Sequence, residues 1–267
     1  MASGRLAGLD RYSVRHELHG PRLRFGVIWF GVLLLSLIGG SLGVTALFAV
    51  VCSITALQIA GAWKAARAPV NQPIAAAGAA LLPLASWVGN TLTGVVVVLM
   101  AGLALVMGAM VKIDPKAVTG GAIAKNWTAA SATLRSGFFV GLVGAAAVQV
   151  HRVDSLMFLF LMSAACVYDT GDYLCGSGYR NRLVGPLAGS FGILVVTMSM
   201  TAIRLDPLST AQVWFFGLSF ALLCPLGQLF GSWILPSSRS KVPGLRRLDA
   251  WLLAAPFFWA GLGLVSR

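Results

Sequence analysis

FGVIWFGVLLLSLIGGSLGVTALFAVVCSITALQIAGAW, residues Phe25–Trp63, contains no charged side chain. Wound as an α-helix at 1.5 Å per residue it would be about 58 Å long, close to twice the ~30 Å hydrocarbon core of a bilayer. The stretch therefore holds two membrane spans, and Gly39-Gly40 with Gly43 interrupt it where the chain must turn. It is too long for the core of a signal peptide, and no convincing small-residue cleavage site follows a shorter one, so no leader is expected to be removed.

Runs of similar character recur as far as Val265 in a chain that is 58% hydrophobic and only 10% charged. The expected fold is an all-α polytopic membrane protein with about nine transmembrane helices, near 25–43, 44–63, 72–91, 93–111, 130–150, 155–174, 186–203, 211–233 and 249–265. Pro69 and Pro73, Asp114-Pro115 and Asp206-Pro207 punctuate the runs as turns do. No internal repeat and no soluble domain interrupts them. Residues 1–24 form a basic N-terminal segment, and 25–267 a single transmembrane domain. Gly137 with Gly141 and Gly227 with Gly231 are spaced to let helices approach closely.

The net charge of +12 belongs to this topology. With nine spans, alternate loops collect nearly all of the 20 Lys and Arg residues, and only Arg152, Arg204 and Arg267 fall on the opposite side. That asymmetry puts the N-terminus in the cytoplasm and the C-terminus outside, most simply in a plasma (inner) membrane. A nucleic-acid partner is excluded, because the charge is spread among short loops and no domain exists to carry a groove. The segment RLAGLDRYSVRHELHGPRLR mixes apolar residues with arginines; it reads equally as a helix on the inner leaflet or as a basic tail.

Cys52, Cys166, Cys175 and Cys224 are scattered with no C-x-x-C pair, and His16, His19 and His151 have no metal-ligand spacing to them. Small buried thiols are expected, and zinc is not.

One stretch breaks the apolar pattern: YDTGDYLCGSGYRNR, residues Tyr168–Arg182. The run from Asp154 to Val167 supplies only about 21 Å of helix, short of the ~30 Å core. The span must therefore continue to about Leu174, carrying Asp169 and Asp172 into the inner part of the bilayer on one helix face. A lone carboxylate there costs several kcal/mol, on the order of 3. Gly171, Gly176 and Gly178 permit a break, and irregular backbone at that depth persists only against protein or a polar cavity. Arg180 and Arg182 follow with donors for a phosphate or for the aspartates. The stretch is either a cytoplasm-facing polar pocket or an ion-paired helix end.

Asp169-Thr170-Gly171-Asp172-Tyr173-Leu174-Cys175-Gly176 resembles the D-T-G-A-Y-x-x-G segment of the phosphatidate cytidylyltransferases, the CDP-diacylglycerol synthases. That family continues with G-D-L-x-E-S-x-x-K-R, a K-D pair, P-G-H-G-G and D-R-x-D before a last span opening with A-A-P. Here the order is Gly227-Gln228-Leu229-Phe230-Gly231-Ser232, Pro243-Gly244, Arg246-Arg247-Leu248-Asp249 and Ala254-Ala255-Pro256. The resemblance covers about residues 130–260, with the site in 165–250. It departs from the family where charge is needed. Gln228 stands for the first acid, Leu235 and Pro236 for Lys-Arg, and Arg246 for the first acid of D-R-x-D, while Gly185-Pro186-Leu187-Ala188-Gly189-Ser190-Phe191-Gly192 lacks the lysines and glutamate of S-P-K-K-T-W-E-G.

The resemblance implies transfer of CMP from CTP to phosphatidic acid or a related lipid phosphate, giving a CDP-lipid and pyrophosphate. It implies Asp169 and Asp249 as catalytic residues, Mg2+ held by Asp169, Asp249 and Asp172, and phosphate or substrate contacts from Arg247, Ser232, Arg180, Arg182 and Tyr173. The lost charges leave a second reading open: a catalytically inactive paralogue that keeps the pocket as a lipid-binding or partner subunit. A homo-oligomer or a hetero-partner fits either. A transporter suits the span number, but no inverted repeat or matched pair of broken helices supports it. Ser232 could instead bond its own helix backbone, and Asp249 could cap the last helix.

Overall fold

The computed structural model describes residues 21–110, 122–176, 183–237 and 240–265. Among these there is no strand. The helices are α1 (Pro21–Ile38), α2 (Gly40–Ala65), α3 (Gln72–Val88), α4 (Asn90–Ala109), α5 (Ala122–Val153), α6 (Ser155–Gly176), α7 (Val184–Ile203), α8 (Thr210–Ile234), the single turn α9 (Leu245–Leu248) and α10 (Trp251–Val265). By length and composition five of them, α2, α4, the Trp127–Val153 part of α5, α7 and α8, are able to cross a membrane. The architecture fits a helical membrane protein. The N-terminal segment before residue 21 lies outside the described residues.

Helix boundaries follow local chemistry. The first apolar stretch parts at Gly39-Gly40, four residues before the boundary expected near 43, because Gly40 takes φ +60°, a left-handed conformation open to glycine. Gly43 then sits against the Ser36 carbonyl, where a side chain would collide. Asn71 starts α3 by accepting the Ile74 N–H at 3.1 Å, with a proline in the first turn. Ser209 and Gln212 close a capping box on α8.

α5 is the hub of the fold. Its 32 residues pack against α2, α3, α4, α6 and α10, and 67% of its best membrane-length window is buried. Gly137 lies against Ala75 and Met100, Gly141 against Leu82 and Ala79, and Gly144 against Cys52 and Pro83. Small residues along one face thus let α3 and α2 come close, as the Gly137–Gly141 spacing predicts. On the other side α6 pairs with α7, α7 with α8, and α10 fills the angle between α5 and α8. An aromatic core of Phe158, Phe160, Phe216, Phe220, Trp251 and Phe258, each no more than 1% exposed, ties that side together.

Candidate functional site

The polar stretch of α6 does not break. The helix continues through Gly176, and its glycines serve helix contact instead. A side-chain carbon on Gly171 would lie 2.9 Å from Gly189 of α7, and one on Gly176 would lie 3.1 Å from Gly185. Gly185 in turn lies against the Asp172 backbone and carboxylate, and Gly189 against Tyr168. The expectation of a turn at Gly171 or Gly176 is therefore corrected: these residues have no Cβ so that α7 can come close to α6. Gly178 lies outside the described residues, as do Arg180 and Arg182.

The α6 face that carries Tyr168 and Asp172 meets α8 through Gln228. The Tyr168 hydroxyl donates to Gln228 Oε1 at 3.3 Å, and Gln228 Nε2 donates to Asp172 Oδ2 at 3.1 Å. Tyr168 is fully buried and Gln228 is 2% exposed, while Asp169, Asp172 and Tyr173 are half-buried. The glutamine amide is well suited to this place, because it can accept from a phenol and donate to a carboxylate at once. One turn along α8, the Ser232 hydroxyl donates to the Gln228 carbonyl at 3.2 Å, the backbone bond that a serine within a helix commonly makes.

The third contribution comes from the turn between α9 and α10. Asp249 is fully buried, and its Oδ2 lies 3.9 Å from Arg246 Nη1. Gly227 and Gly231 make room for it on α8: a side-chain carbon on the first would meet the Asp249 carbonyl, and one on the second would lie 3.1 Å from the Asp249 Cβ. The expected Gly227–Gly231 helix contact is thus the seat of this aspartate. Its backbone is helical (φ −68°, ψ −35°), so it continues α9 toward α10 rather than adopting the extended form of an N-cap.

The Cys224 thiol of α8 lies within electrostatic range of both Asp169 and Asp249. Cys166, one turn before Asp169 on α6, is within reach of Asp169 and Arg247. Arg247 also extends toward α1, with its Nη1 3.4 Å from where a Cβ on Gly26 would be. Through Gln228, Gly227 and Gly231, α8 thus links Asp172 of α6 with Asp249 of the α9–α10 turn. Among the described residues, no group of three or more His, Cys, Asp or Glu side chains is placed to hold a metal ion. A cage of three carboxylates from Asp169, Asp172 and Asp249 does not form, which fits at most an ion held by one or two of them together with water or substrate oxygens.

α2 supplies residues that the sequence pattern does not single out. Gln58 Oε1 accepts the Gly244 N–H at 2.9 Å, Thr55 lies against the same glycine, and Trp63 Nε1 donates to the Ile234 carbonyl at 3.0 Å. These contacts hold the segment leading into Arg246, Arg247 and Asp249. The local signal for them is weak: Thr55 and Gln58, three apart, in a helix that also carries Ser41, Thr45, Ser53 and Lys64. Compared with protein-family models, curated proteins and solved structures, the chain matches none of them.

Proposed function

We propose that the chain is a divergent integral-membrane protein of the phosphatidate cytidylyltransferase type, in which the cluster about Asp169 and Asp249 receives a lipid phosphate. In this reading about nine helices span a plasma (inner) membrane with the N-terminus and the cluster on the cytoplasmic side, as the distribution of basic residues favours. The observation that carries the proposal is that α8 seats Asp249 on Gly227 and Gly231 and, through Gln228 beside them, holds Asp172 of α6, so acidic residues from two distant parts of the chain share one helix.

In the catalytic form, CMP passes from CTP to phosphatidic acid or a related lipid phosphate, with pyrophosphate released. Magnesium would supply neutralisation of the triphosphate charge, held by Asp169 and Asp249, while Gln228 engages one oxygen of Asp172. Arg247 pairs with a substrate phosphate, joined by Arg180 and Arg182 further along the sequence, and Tyr173 and Ser232 border the substrate.

The Tyr168–Gln228–Asp172 chain specifically favours the second reading, a catalytically inactive lipid-binding or partner subunit. Where the resembled enzymes carry an acid, an amide here bonds a neighbouring carboxylate and adds no charge. Losing one preorganised charged group costs about 2.7–4 kcal/mol in barrier height, and several are replaced here. Purified protein with labelled CTP, phosphatidic acid and magnesium separates the two. Labelled CDP-lipid that vanishes in Asp169→Asn and Asp249→Asn supports the enzyme. No turnover, with phosphatidic acid still co-purifying and lost from Asp249→Asn, supports the binding subunit. Neither turnover nor retained anionic lipid would refute both.

A further inference from the structure

Arg135 lies on α5, away from the cluster on α6, α8 and α9. Its guanidinium carbon sits 4.2 Å from the centre of the Trp233 ring and 5.8 Å from that of Trp63. Trp233 stacks on Phe230 at 5.3 Å, and Phe139 meets both rings edge-on. Among the described residues, ring contacts are the whole of what engages this guanidinium; no hydrogen bond or ion pair to protein does.

Two facts fix the depth of Arg135. Trp63 and Trp233 stand in the last turns of α2 and α8, joined by the Trp63–Ile234 bond, and Asn71, just before α3, donates its N–H to Thr133 of α5 at 3.0 Å. Three helix ends thus lie level with Arg135. On α5 itself, Arg135 to Arg152 is about 26 Å of helix, near the ~30 Å thickness of a hydrocarbon core. Arg152 at the far end donates to the Ser86 carbonyl at 3.0 Å. The two arginines bracket the apolar layer, and Arg135 stands at headgroup depth, where tryptophans concentrate.

An arginine whose plane is set by aromatic rings keeps its edge donors pointing outward in a fixed fork, which matches two oxygens of a phosphate. Arg135 is half-buried and Trp233 is 51% exposed, so the pair is accessible from outside the bundle. Lys64, exposed, follows Trp63 directly and adds a second positive charge at the end of α2. We propose that Arg135, framed by Trp63 and Trp233, is a binding site for the phosphate of an anionic phospholipid, separate from the cluster about Asp169 and Asp249. The rings hold the guanidinium, its N–H groups take the phosphate, and the acyl chains run down the apolar surface beside Phe139 and Phe230. This inference stands whether or not the proposed function does.

The test is native mass spectrometry of the full chain released from micelles doped with equal phosphatidylglycerol and phosphatidylcholine. The intact protein should retain phosphatidylglycerol in preference, and Arg135→Gln should reduce that retention by about tenfold, the loss expected for a charge-assisted pair of hydrogen bonds. Should Arg135→Gln fail to fold, Arg135→Lys keeps the charge and loses the fork, and its preference should fall between the two. A parallel arm adds inorganic phosphate at millimolar concentration, which should leave the bound phosphatidylglycerol in place. Equal retention in the intact protein and both variants overturns the proposal. Displacement of the lipid by inorganic phosphate also overturns it, in favour of a free-phosphate site.

Discussion

Gln228→Leu removes an acceptor from Tyr168 and a donor from Asp172 in a single change at nearly constant volume. The two bonds should not be equal. The bond to Asp172 is charge-assisted, a class worth about 1.5–3 kcal/mol in soluble proteins. Side-chain bonds between membrane helices average about 0.6 and reach about 1.7 kcal/mol, and Asp172 is only half-buried, so a coupling of about 1–1.5 kcal/mol is expected. The bond to Tyr168 is neutral and, at 3.3 Å, longer than the usual hydroxyl bond, so a coupling of about 0.5 kcal/mol is expected. Two double-mutant cycles, Asp172→Ala with Gln228→Leu and Tyr168→Phe with Gln228→Leu, read by denaturant unfolding in mixed micelles, measure both. The Asp172 coupling should be about two to three times the Tyr168 coupling. Additivity within about 0.3 kcal/mol in both cycles would show that Gln228 does not join α6 to α8 and would remove the centre of the candidate site.

Gly227→Ala should destabilise the fold more than Gly231→Ala, because the new carbon meets the Asp249 carbonyl at 2.5 Å in the first case and the Asp249 Cβ at 3.1 Å in the second; thermal unfolding ranks the two. Gly189→Val pushes into Tyr168, whose ring lies 2.7 Å from the new carbon, and should cost about 1–3 kcal/mol by forcing α7 from α6, seen as a lower melting temperature. Gln58→Leu removes the acceptor of the Gly244 N–H and should cost about 1–2 kcal/mol, with faster proteolysis between residues 240 and 249 than in the intact protein. Unchanged cleavage there would show that α2 does not hold the segment.

Helices were the most legible part of the sequence, because long apolar runs and glycine or proline breaks act locally; even so, the first break came four residues early, where Gly40 takes φ +60°. Asp169, Asp172 and Asp249 stood out by being acidic in a chain with only 8 such residues. Their glycine neighbours were misread as breaks, because a glycine that admits a second helix and one that ends a helix look alike until the partner is in place. Gln228 read as a lost acid, whereas it joins α6 to α8. The bonds from Gln58 to Gly244 and from Trp63 to Ile234 cross 186 and 171 residues, and no local pattern encodes such partners.

The central position of α5 bears on how the chain is made. Synthesis delivers α1 to α4 before it, and the faces of α2 and α3 shaped for Gly137, Gly141 and Gly144 must wait beside lipid or insertion machinery until α5 emerges. Once residue 153 is in place, the same helix becomes the template on which α6 and then α10 settle. A lesion on α5 would therefore stall biogenesis of both halves together, and the nascent protein would be exposed to membrane proteases as two unpacked halves of one chain rather than as one damaged bundle.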